Sequence, residues 1–325
     1  MLHTRFTEMF GLNAPLMLAP MSAHTGATIA AAVSSAGALG SFGGIAAPGP
    51  DWISAEISSV RVATDRPFAV GFVTQAIPWV LPVFERVLAE QVSAVMLSFG
   101  DPTPWTEQAR TAGAKVICQV QTLEDADRAV DAGAHVLVTQ GNAAGGHTGT
   151  LNLLPFLATV VDRFPDVPVL AAGGISSGRT LAAAMTAGAD GALMGTAFLA
   201  THEAVEVNDV HKQLIVESDG TDTVFTHVYD IACGFQWPGS VGERVRANSF
   251  TDKWADREPE LRERRAEFHR DDLYFGDPPD PENDQILYGE GAGSVTAIRP
   301  AAEVIAKICR DTEQILRSRP ALLLS

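Results

Sequence analysis

The residues best suited to proton transfer lie in one glycine-rich segment, 140–149, whose sequence is QGNAAGGHTG. Gly145 and Gly146 allow a positive φ and a close approach of the backbone to a ligand. His147 follows them directly, and an imidazole accepts protons near neutral pH, as a general base must. A solvent-exposed turn histidine is the alternative, but the density of glycines favours a site. We therefore predict that His147 is a catalytic base and that the two glycines lie beside a bound ligand.

Two further glycine-containing segments predict a phosphate site. Residues 171–176 have the sequence AAGGIS, and residues 194–196 have the sequence MGT. Such loops bind phosphate through backbone N–H groups and a helix N-terminus, and in α/β barrels they follow the last two strands. Two unrelated glycine turns are the alternative, but their pairing at this spacing favours the phosphate site.

An apolar edge precedes these loops in the chain. Pro20 and Met21 follow the first apolar run, and together they offer a stiff surface suited to a flat ring. Taken alone, an ordinary strand end with a core methionine is the simpler interpretation. A phosphate site, an apolar edge and one histidine together favour a flavin enzyme, and a sugar phosphate is the other ligand that these residues allow.

Eight short apolar runs, separated by alanine-rich stretches typical of helices, position these loops. Runs that are apolar throughout indicate strands buried on both faces, and the alternation predicts parallel strands with helical crossovers. No GxGxxG motif follows the first run, so we predict a (β/α)₈ TIM barrel, of class α/β, and not an open doubly wound sheet. The predicted strands are Leu16–Ala19, Ala38–Ser41, Phe68–Phe72, Ala94–Ser98, Lys115–Val120, His135–Thr139, Val169–Ala172 and Ala192–Met194.

The character of the sequence changes after the eighth run. Residues 205–289 are rich in charge and proline, and the charged stretch 254–268 is predicted to be a helix. We predict an FMN-binding barrel made of residues 1–204 and 290–325, and a smaller helical and loop subdomain over 205–289 near the barrel mouth. Trp237, in an aromatic loop of this subdomain, is a candidate substrate contact, with a role as a core anchor as the alternative.

Composition limits the class of protein. The formal net charge is −16, which repels nucleic acid and anionic lipid. The chain has no apolar run long enough to span a bilayer, and its first residues lack a secretory apolar region. The three cysteines are too few and too far apart for a disulfide framework or a metal site. We predict a cytoplasmic enzyme with a small-molecule substrate, without a metal and without a nucleic-acid or membrane partner, and the oligomeric state stays open.

The glycine motifs resemble those of the nitronate monooxygenases, formerly named 2-nitropropane dioxygenases. The resemblance lies in QGNAAGGHTG, at 140–149, and in AAGGIS followed by GADGALMGTAF, at 171–176 and 188–198. It resumes at GEGAG, residues 289–293. The resemblance implies a barrel with FMN and a helical subdomain. It also implies the oxidation of alkyl nitronates by O₂, with one electron passing from the nitronate to the flavin.

The resemblance also implies roles for individual residues. It makes His147 the base near flavin N5, places Pro20 and Met21 beside the isoalloxazine ring, and makes Gln119 and Gln140 candidate partners of the flavin's polar edge. The implied phosphate ligands are Gly173, Gly174, Gly195 and Thr196. Phe72, at the end of the third predicted strand, is a second candidate substrate contact beside Trp237. The other histidines, such as His24 and His202, are expected to be structural or exposed.

Two other hypotheses about function are compatible with this scaffold. The same loops resemble those of flavin enoyl-acyl-carrier reductases and NADH:quinone reductases, which also have a GGH-type loop. The second hypothesis is therefore an NAD(P)H-dependent flavin reductase of quinones or enoyl thioesters. A non-catalytic flavin or phosphate sensor is the third, and the intact His147 after two glycines argues against it.

Overall fold

The strands of the protein form one large parallel sheet and one small antiparallel sheet. The structure is a computed structural model that describes residues 2–268, 273 and 279–324. In chain order, its strands are β1 (Leu16–Leu18), β2 (Gly40–Gly43), β3 (Phe68–Val73), β4 (Ala94–Ser98), β5 (Lys115–Val120), β6 (Val136–Gln140), β7 (Gly146–Thr148), β8 (Val169–Ala172), β9 (Gly191–Met194), β10 (Thr223–Thr226) and β11 (Gly242–Arg246).

Eight of these strands form the parallel sheet, in the order β1-β9-β8-β6-β5-β4-β3-β2. The two ends of this sheet meet, because the Leu39 N–H donates to the Leu16 carbonyl and the Leu18 N–H donates to the Leu39 carbonyl. The sheet is therefore a closed barrel, and the predicted (β/α)₈ fold is confirmed. The second strand begins two residues later than predicted, because Leu39 makes only this bridge to β1 and the pairing with β3 starts at Gly40.

Helices cover the outside of the barrel and fill the segment after it. They are α1 (Arg5–Phe10), α2 (Ala27–Ser35), α3 (Pro50–Ala63), α4 (Leu81–Ala89), α5 (Thr103–Thr111), α6 (Leu123–Asp131), α7 (Leu153–Arg163), α8 (Gly178–Thr186), α9 (Thr196–Leu199), α10 (Asp209–Glu217), α11 (Val228–Cys233), α12 (Ser249–Trp254), α13 (Glu258–Glu263) and α14 (Ala301–Leu323). Short 3₁₀ segments lie at Ser22–His24, Thr74–Val80, Arg265–Glu267 and Glu290–Ser294. Of the helices described, none combines the length and apolar character that a membrane crossing requires.

The buried side chains form two layers around the parallel sheet. One layer lies between the strands and the surrounding helices, and the other is the barrel interior, which includes Met17, Met96 and Leu170. Phe6 of α1 belongs to the interior layer and is fully buried. The Thr4 hydroxyl caps α1 by accepting from the Thr7 N–H. This short helix therefore closes the barrel at the end opposite the strand C-termini.

Residues 205–289 hold a small antiparallel sheet that the sequence analysis did not predict. Its strand order is β10-β11-β7, so β7, which follows barrel strand β6, supplies an edge strand. An apolar cluster packs beside this sheet and includes Tyr229, Val245 and Trp254. The predicted single helix over 254–268 is wrong, because the chain leaves α12 at Trp254 and starts α13 anew with a proline in its first turn. Proline lacks an N–H and is tolerated in a first turn but breaks a helix interior.

Helix α1, which closes the end of the barrel opposite the strand C-termini, gives a stability prediction. Phe6→Ala removes a fully buried ring that also packs edge-on against Phe10 at 5.3 Å between centroids. We expect a loss of about 3–5 kcal/mol in the free energy of unfolding, the usual cost of a large cavity. Denaturant unfolding measures it, with the exposed Glu8→Ala on the same helix as the control. Equal stability of the two variants would show that α1 does not close the barrel.

Candidate active site

A cavity lies at the C-terminal ends of the barrel strands, where enzymes of this fold carry out chemistry. Every residue that the sequence analysis assigned to the site lines this one cavity. These residues are Pro20, Met21, Phe72, Gln119, Gln140, Gly145, Gly146, His147, Gly173, Gly174, Gly195, Thr196 and Trp237. The structure thus brings the predicted residues together, although they come from six barrel strands and from the segment beyond the barrel.

The glycines after β8 shape one wall of the cavity with backbone alone. Gly173 has a φ of +96° and Gly174 a φ of +73°, both in the left-handed region. A Cβ at Gly173 would lie 2.5 Å from the Gly141 carbonyl oxygen, so the backbones meet closely here. Both conformation and space require glycine at Gly173, whereas at Gly174 it is the left-handed conformation that favours glycine.

The segment after β9 completes this wall. A Cβ at Gly195 would lie 3.0 Å from Met21 Sδ, so the glycine and the methionine side chain share a tight corner. Thr196 begins α9, and no side chain caps this helix start. The Thr196 hydroxyl accepts from the Gly289 N–H at 3.0 Å, which leaves its own proton to donate into the cavity. The glycine backbone after β8 and β9 and the Thr196 hydroxyl therefore line the same part of the cavity.

His147 sits on a short strand, whereas the sequence analysis placed it only after a glycine-rich turn and offered a solvent-exposed turn as the alternative. It is the middle residue of β7 and lies opposite Glu243 of β11 in an antiparallel register. Its carbonyl accepts from Gln140 Nε2 at 2.9 Å. Gly145 is required beside it, because a Cβ there would lie 2.7 Å from the Tyr288 Cα. These contacts fix the backbone that presents the imidazole.

The imidazole of His147 is paired with a buried carboxylate. Its Nε2 lies 3.0 and 3.1 Å from the two carboxylate oxygens of Asp230, on α11. The side chain of Asp230 is 5% exposed, whereas that of His147 is 22% exposed. A carboxylate can only accept, so Nε2 carries the proton and Nδ1 of the neutral ring is the lone-pair nitrogen. The pair therefore resembles the His–Asp arrangement of general-base catalysis.

Aromatic rings cover the imidazole. The Trp237 ring stacks on His147 at 4.0 Å between centroids with an interplanar angle of 25°. Phe99 meets Trp237 edge-on at 5.2 Å, and its φ of +62° is unusual for a residue with a side chain. Backbone outliers of this kind concentrate at functional sites. Phe99 therefore joins Trp237 in restricting access to His147.

The two predicted glutamines differ in their surroundings. The Gln140 amide is engaged by protein groups, because its Oε1 accepts from Gln121 Nε2 at 2.9 Å while its Nε2 bonds the His147 carbonyl. Gln119 lines the cavity and is 9% exposed, and its amide bonds no described residue. Gln140 thus positions the His147 loop, whereas the Gln119 amide is free to meet a ligand. Phe72 is a largely buried wall residue that packs edge-on against Phe84.

His24 is a second histidine that lines the cavity, which the sequence analysis did not expect. It packs edge-on against His211 at 5.6 Å between centroids. Burial, together with the neighbouring His211, lowers the pKa of His24 to about 4. His24 is therefore neutral and a poor proton acceptor at neutral pH, so His147 is the histidine suited to act as a base. Among the described residues, the cavity walls carry no Lys, Arg, Asp or Glu side chain.

Sequence reasoning missed the groups behind and around His147, namely Asp230, Glu243, Phe99, Tyr288 and His24. Asp230 and Glu243 lie in segments without a recognisable motif, and only the pairing of β7 with β11 brings Glu243 near His147. Tyr288 lines the cavity and donates to an Asp222 carboxylate oxygen at 2.7 Å. The one available signal was the resemblance at 289–293, whose segment directly follows Tyr288.

Three comparisons relate the chain to known proteins. The family model for nitronate monooxygenase matches residues 3–79 and 72–311. The chain is 32% identical over 336 residues to nitronate monooxygenase npaC of Metarhizium robertsii, a match that covers 94% of this chain and 93% of that protein. The fold is similar to the structure of FabK from Thermotoga maritima, with a TM-score of 0.86, 29% identity and coverage of 99% and 100%.

A further relative is named as a dehydrogenase and not as a nitronate monooxygenase. The chain is 33% identical over 227 residues to (3aS,4S,5R,7aS)-5-hydroxy-7a-methyl-1-oxo-octahydro-1H-indene-4-carboxyl-CoA dehydrogenase of Mycobacterium tuberculosis. This match covers 69% of this chain and 63% of that protein, so the chain spans less than two thirds of that relative. The family model and the relative matched over nearly its full length agree with each other. The chain belongs to the nitronate monooxygenase family and is an oxidoreductase.

Proposed function

We propose that the protein binds FMN at the barrel mouth and oxidises alkyl nitronates with O₂. The observation that carries the proposal is the His147–Asp230 pair, whose imidazole lines the same cavity as the glycine loops after β8 and β9. Family membership supports the nitronate substrate. The electron transfer from the nitronate, and onward to O₂, is the chemistry that FMN supplies when bound.

The corner after β8 and β9 fits the phosphate of FMN. Gly173 and Gly174 expose backbone without a Cβ, and the Thr196 hydroxyl has a proton to donate. The uncapped start of α9 leaves N–H groups that a phosphate accepts from. Pro20 and Met21 offer the apolar wall for the ring system. The structure describes one such corner in this cavity, which favours FMN over the dinucleotide FAD.

The pair of His147 and Asp230 determines which nitrogen takes a proton. Because Nε2–H donates to Asp230, Nδ1 is the atom that removes the proton from the carbon next to a neutral nitro group. The Asp230 carboxylate then stabilises the imidazolium that forms. The stacked Trp237 covers one face of the imidazole, and the His147 side chain is only partly exposed. For a substrate supplied as the nitronate anion, His147 instead orients the anion beside the ring.

We propose that residues 205–289 form a subdomain that shapes the substrate pocket. Trp237, Leu287 and Tyr288 of this segment line the cavity. The segment also has its own apolar cluster beside β10 and β11. Trp237 and Phe72 are the side chains that we assign to substrate contact. The protein then acts on a small molecule with O₂ as its co-substrate.

A flavin reductase that takes hydride from NAD(P)H is the second candidate. It is favoured by the relative from Mycobacterium tuberculosis, whose name gives it a coenzyme A thioester as substrate. The uncharged cavity walls also suit a neutral quinone or enoyl group. A nicotinamide can stack on a bound flavin, so this candidate needs no separate dinucleotide-binding fold.

The phosphate site is tested by Gly195→Asp. A carboxylate there places a like charge against the phosphate and crowds Met21, so we expect the variant to lose its flavin while keeping the fold. Gly49→Asp is the matched control, because Gly49 has extended backbone and open space around its Cβ position. Heat-released cofactor is identified by chromatography. FAD in the native protein, or a normal flavin content in Gly195→Asp, contradicts the assignment.

The base is tested by His147→Asn. We expect FMN to stay bound, because the phosphate corner is on other strands, and activity on a neutral nitroalkane to fall roughly 10²–10⁴-fold, the usual effect of losing a positioned base. Activity on the preformed nitronate should fall much less, since no C–H proton has to leave. The exposed His202→Asn is the control. Equal losses on both substrates would assign His147 to anion binding.

The two candidate activities separate under anaerobic conditions. We expect a nitronate to change the visible spectrum of the flavin rapidly on stopped-flow mixing, and NADH or NADPH to bleach the flavin far more slowly. The visible absorbance of the flavin follows the reaction directly. Fast bleaching by NAD(P)H, followed by rapid reoxidation on adding a quinone or an enoyl thioester, would replace the nitronate assignment with the reductase.

A further inference from the structure

A second buried carboxylate lies behind the His147–Asp230 pair. Glu243 is the residue opposite His147 in the β7–β11 pairing, and it is 0% exposed. A carboxylate oxygen of Glu243, one of Asp230 and a ring nitrogen of His147 all lie within 4.8 Å of one another. The nitronate assignment uses only the nearer two of these groups. A role for the third therefore remains to be found.

The two oxygens of Glu243 have different surroundings. Oε2 accepts a hydrogen bond from Gln285 Nε2. Oε1 is completely buried and has no hydrogen-bond partner among the residues that the structure describes. An ionised carboxylate with an unpaired buried oxygen is costly, whereas a carboxylic acid can place a proton on that oxygen and become a donor.

The charges around Glu243 favour its neutral form. The titratable groups that face it are His147 on β7 and Asp230 and Tyr229 on α11. Burial, and in second place the negative charge of Asp230, raise the pKa of the Glu243 carboxyl well above its usual range. Two carboxylates this close in a buried site do not both ionise without compensation, and one proton shared by the pair supplies it.

We propose that Glu243 is a positioning residue held as the neutral acid, whose proton on Oε1 faces Asp230. The pair then carries a single negative charge, on Asp230. Asp230 accepts from Glu243 on one side and from His147 Nε2–H on the other, so its carboxylate is held in place. Sharing the charge with Glu243 also makes Asp230 a weaker acceptor towards the imidazole than it would be without this donor. This inference rests on the proposed role of His147.

Two substitutions separate this role from mere packing. Glu243→Leu removes the donor, so Asp230 holds the imidazolium more strongly. We expect the acid side of the kcat/KM profile to move to higher pH by about one unit, the scale of a neighbouring-charge effect. Glu243→Gln keeps an N–H donor without an ionisable group. The acid side of its kcat/KM profile should therefore lie at the same pH as in the wild type. The exposed Glu263→Leu is the control and should not move it.

Two readouts do not depend on turnover of any substrate. Infrared difference spectra of wild type minus Glu243→Gln at neutral pH should show the C=O stretch of a protonated carboxylic acid. The wild type should also lose stability relative to Glu243→Gln as pH rises from about 5 to 8. The reason is that a group with a raised folded pKa binds more protons in the folded state above its unfolded value of 4.5.

Four outcomes overturn the proposal. One is the absence of the carboxylic acid band in the wild type. Another is an acid side that moves as far in Glu243→Gln as in Glu243→Leu, and a third is an acid side that stays in place in Glu243→Leu. The last is a stoichiometric divalent metal in the purified protein that Glu243→Gln loses, because the three side chains would then be its ligands. If the nitronate assignment fails, the infrared and stability results still decide the state of Glu243.

Discussion

The antiparallel pairing of β7 with β11 is the contact on which the candidate site depends. It converts a glycine-rich loop after a barrel strand into the edge of a second sheet, and it holds His147 opposite Glu243. The pairing is reinforced where Arg244 Nε donates to the Asn142 carbonyl at 2.8 Å. Without it, the imidazole would stand on a loop with several glycines and many accessible conformations. The barrel thus supplies the floor of the cavity, and the small sheet holds His147 at its edge.

The two sheets contribute different kinds of groups to the site, and this difference has an electrostatic consequence. The barrel contributes backbone N–H groups, a hydroxyl and apolar side chains, and its part of the cavity carries no charged side chain among the described residues. The buried carboxyl groups of Asp230 and Glu243 lie behind His147 and do not line the cavity. Such a separation suits the proposed site, in which a phosphate binds at one side and an imidazolium is stabilised at the other.

Much of the barrel and of its site could be predicted from the sequence, because both follow from local patterns. Buried parallel strands appear as apolar runs, and their C-terminal ends converge at one face. Gly195 and Thr196 could therefore be placed at the cavity from their position after a run, whereas Gln119, which lies inside a predicted strand, was assigned from the resemblance to the family. The glycines were informative for the same reason, since Gly173 and Gly174 need a conformation that other residues avoid.

The remainder could not be predicted, because it depends on contacts between distant segments. Asp230 lies 83 residues from His147, and nothing in the intervening sequence indicates that the two side chains meet. Phe99 adopts a positive φ without the glycine that would announce it. Trp237 was placed near the substrate from its loop alone, and its stacking on His147 became visible only with both segments in place. Each is decided by tertiary packing and not by local preference.

The segment around Gly289 lies late in the chain and crosses the barrel mouth. Its position in the sequence affects when the mouth is completed during synthesis. The Gly289 N–H donates to the Thr196 hydroxyl and the Glu290 N–H donates to the Ala143 carbonyl, so the mouth is assembled from three stretches far apart in the chain. A ribosome releases these stretches one after another, and domains fold as their last residues emerge. The barrel sheet can close once β9 pairs with β1, but the mouth stays open until about a hundred further residues have been translated. A nascent chain at that stage lacks the residues that complete the mouth, so the proposed binding of FMN belongs to the end of translation or after it.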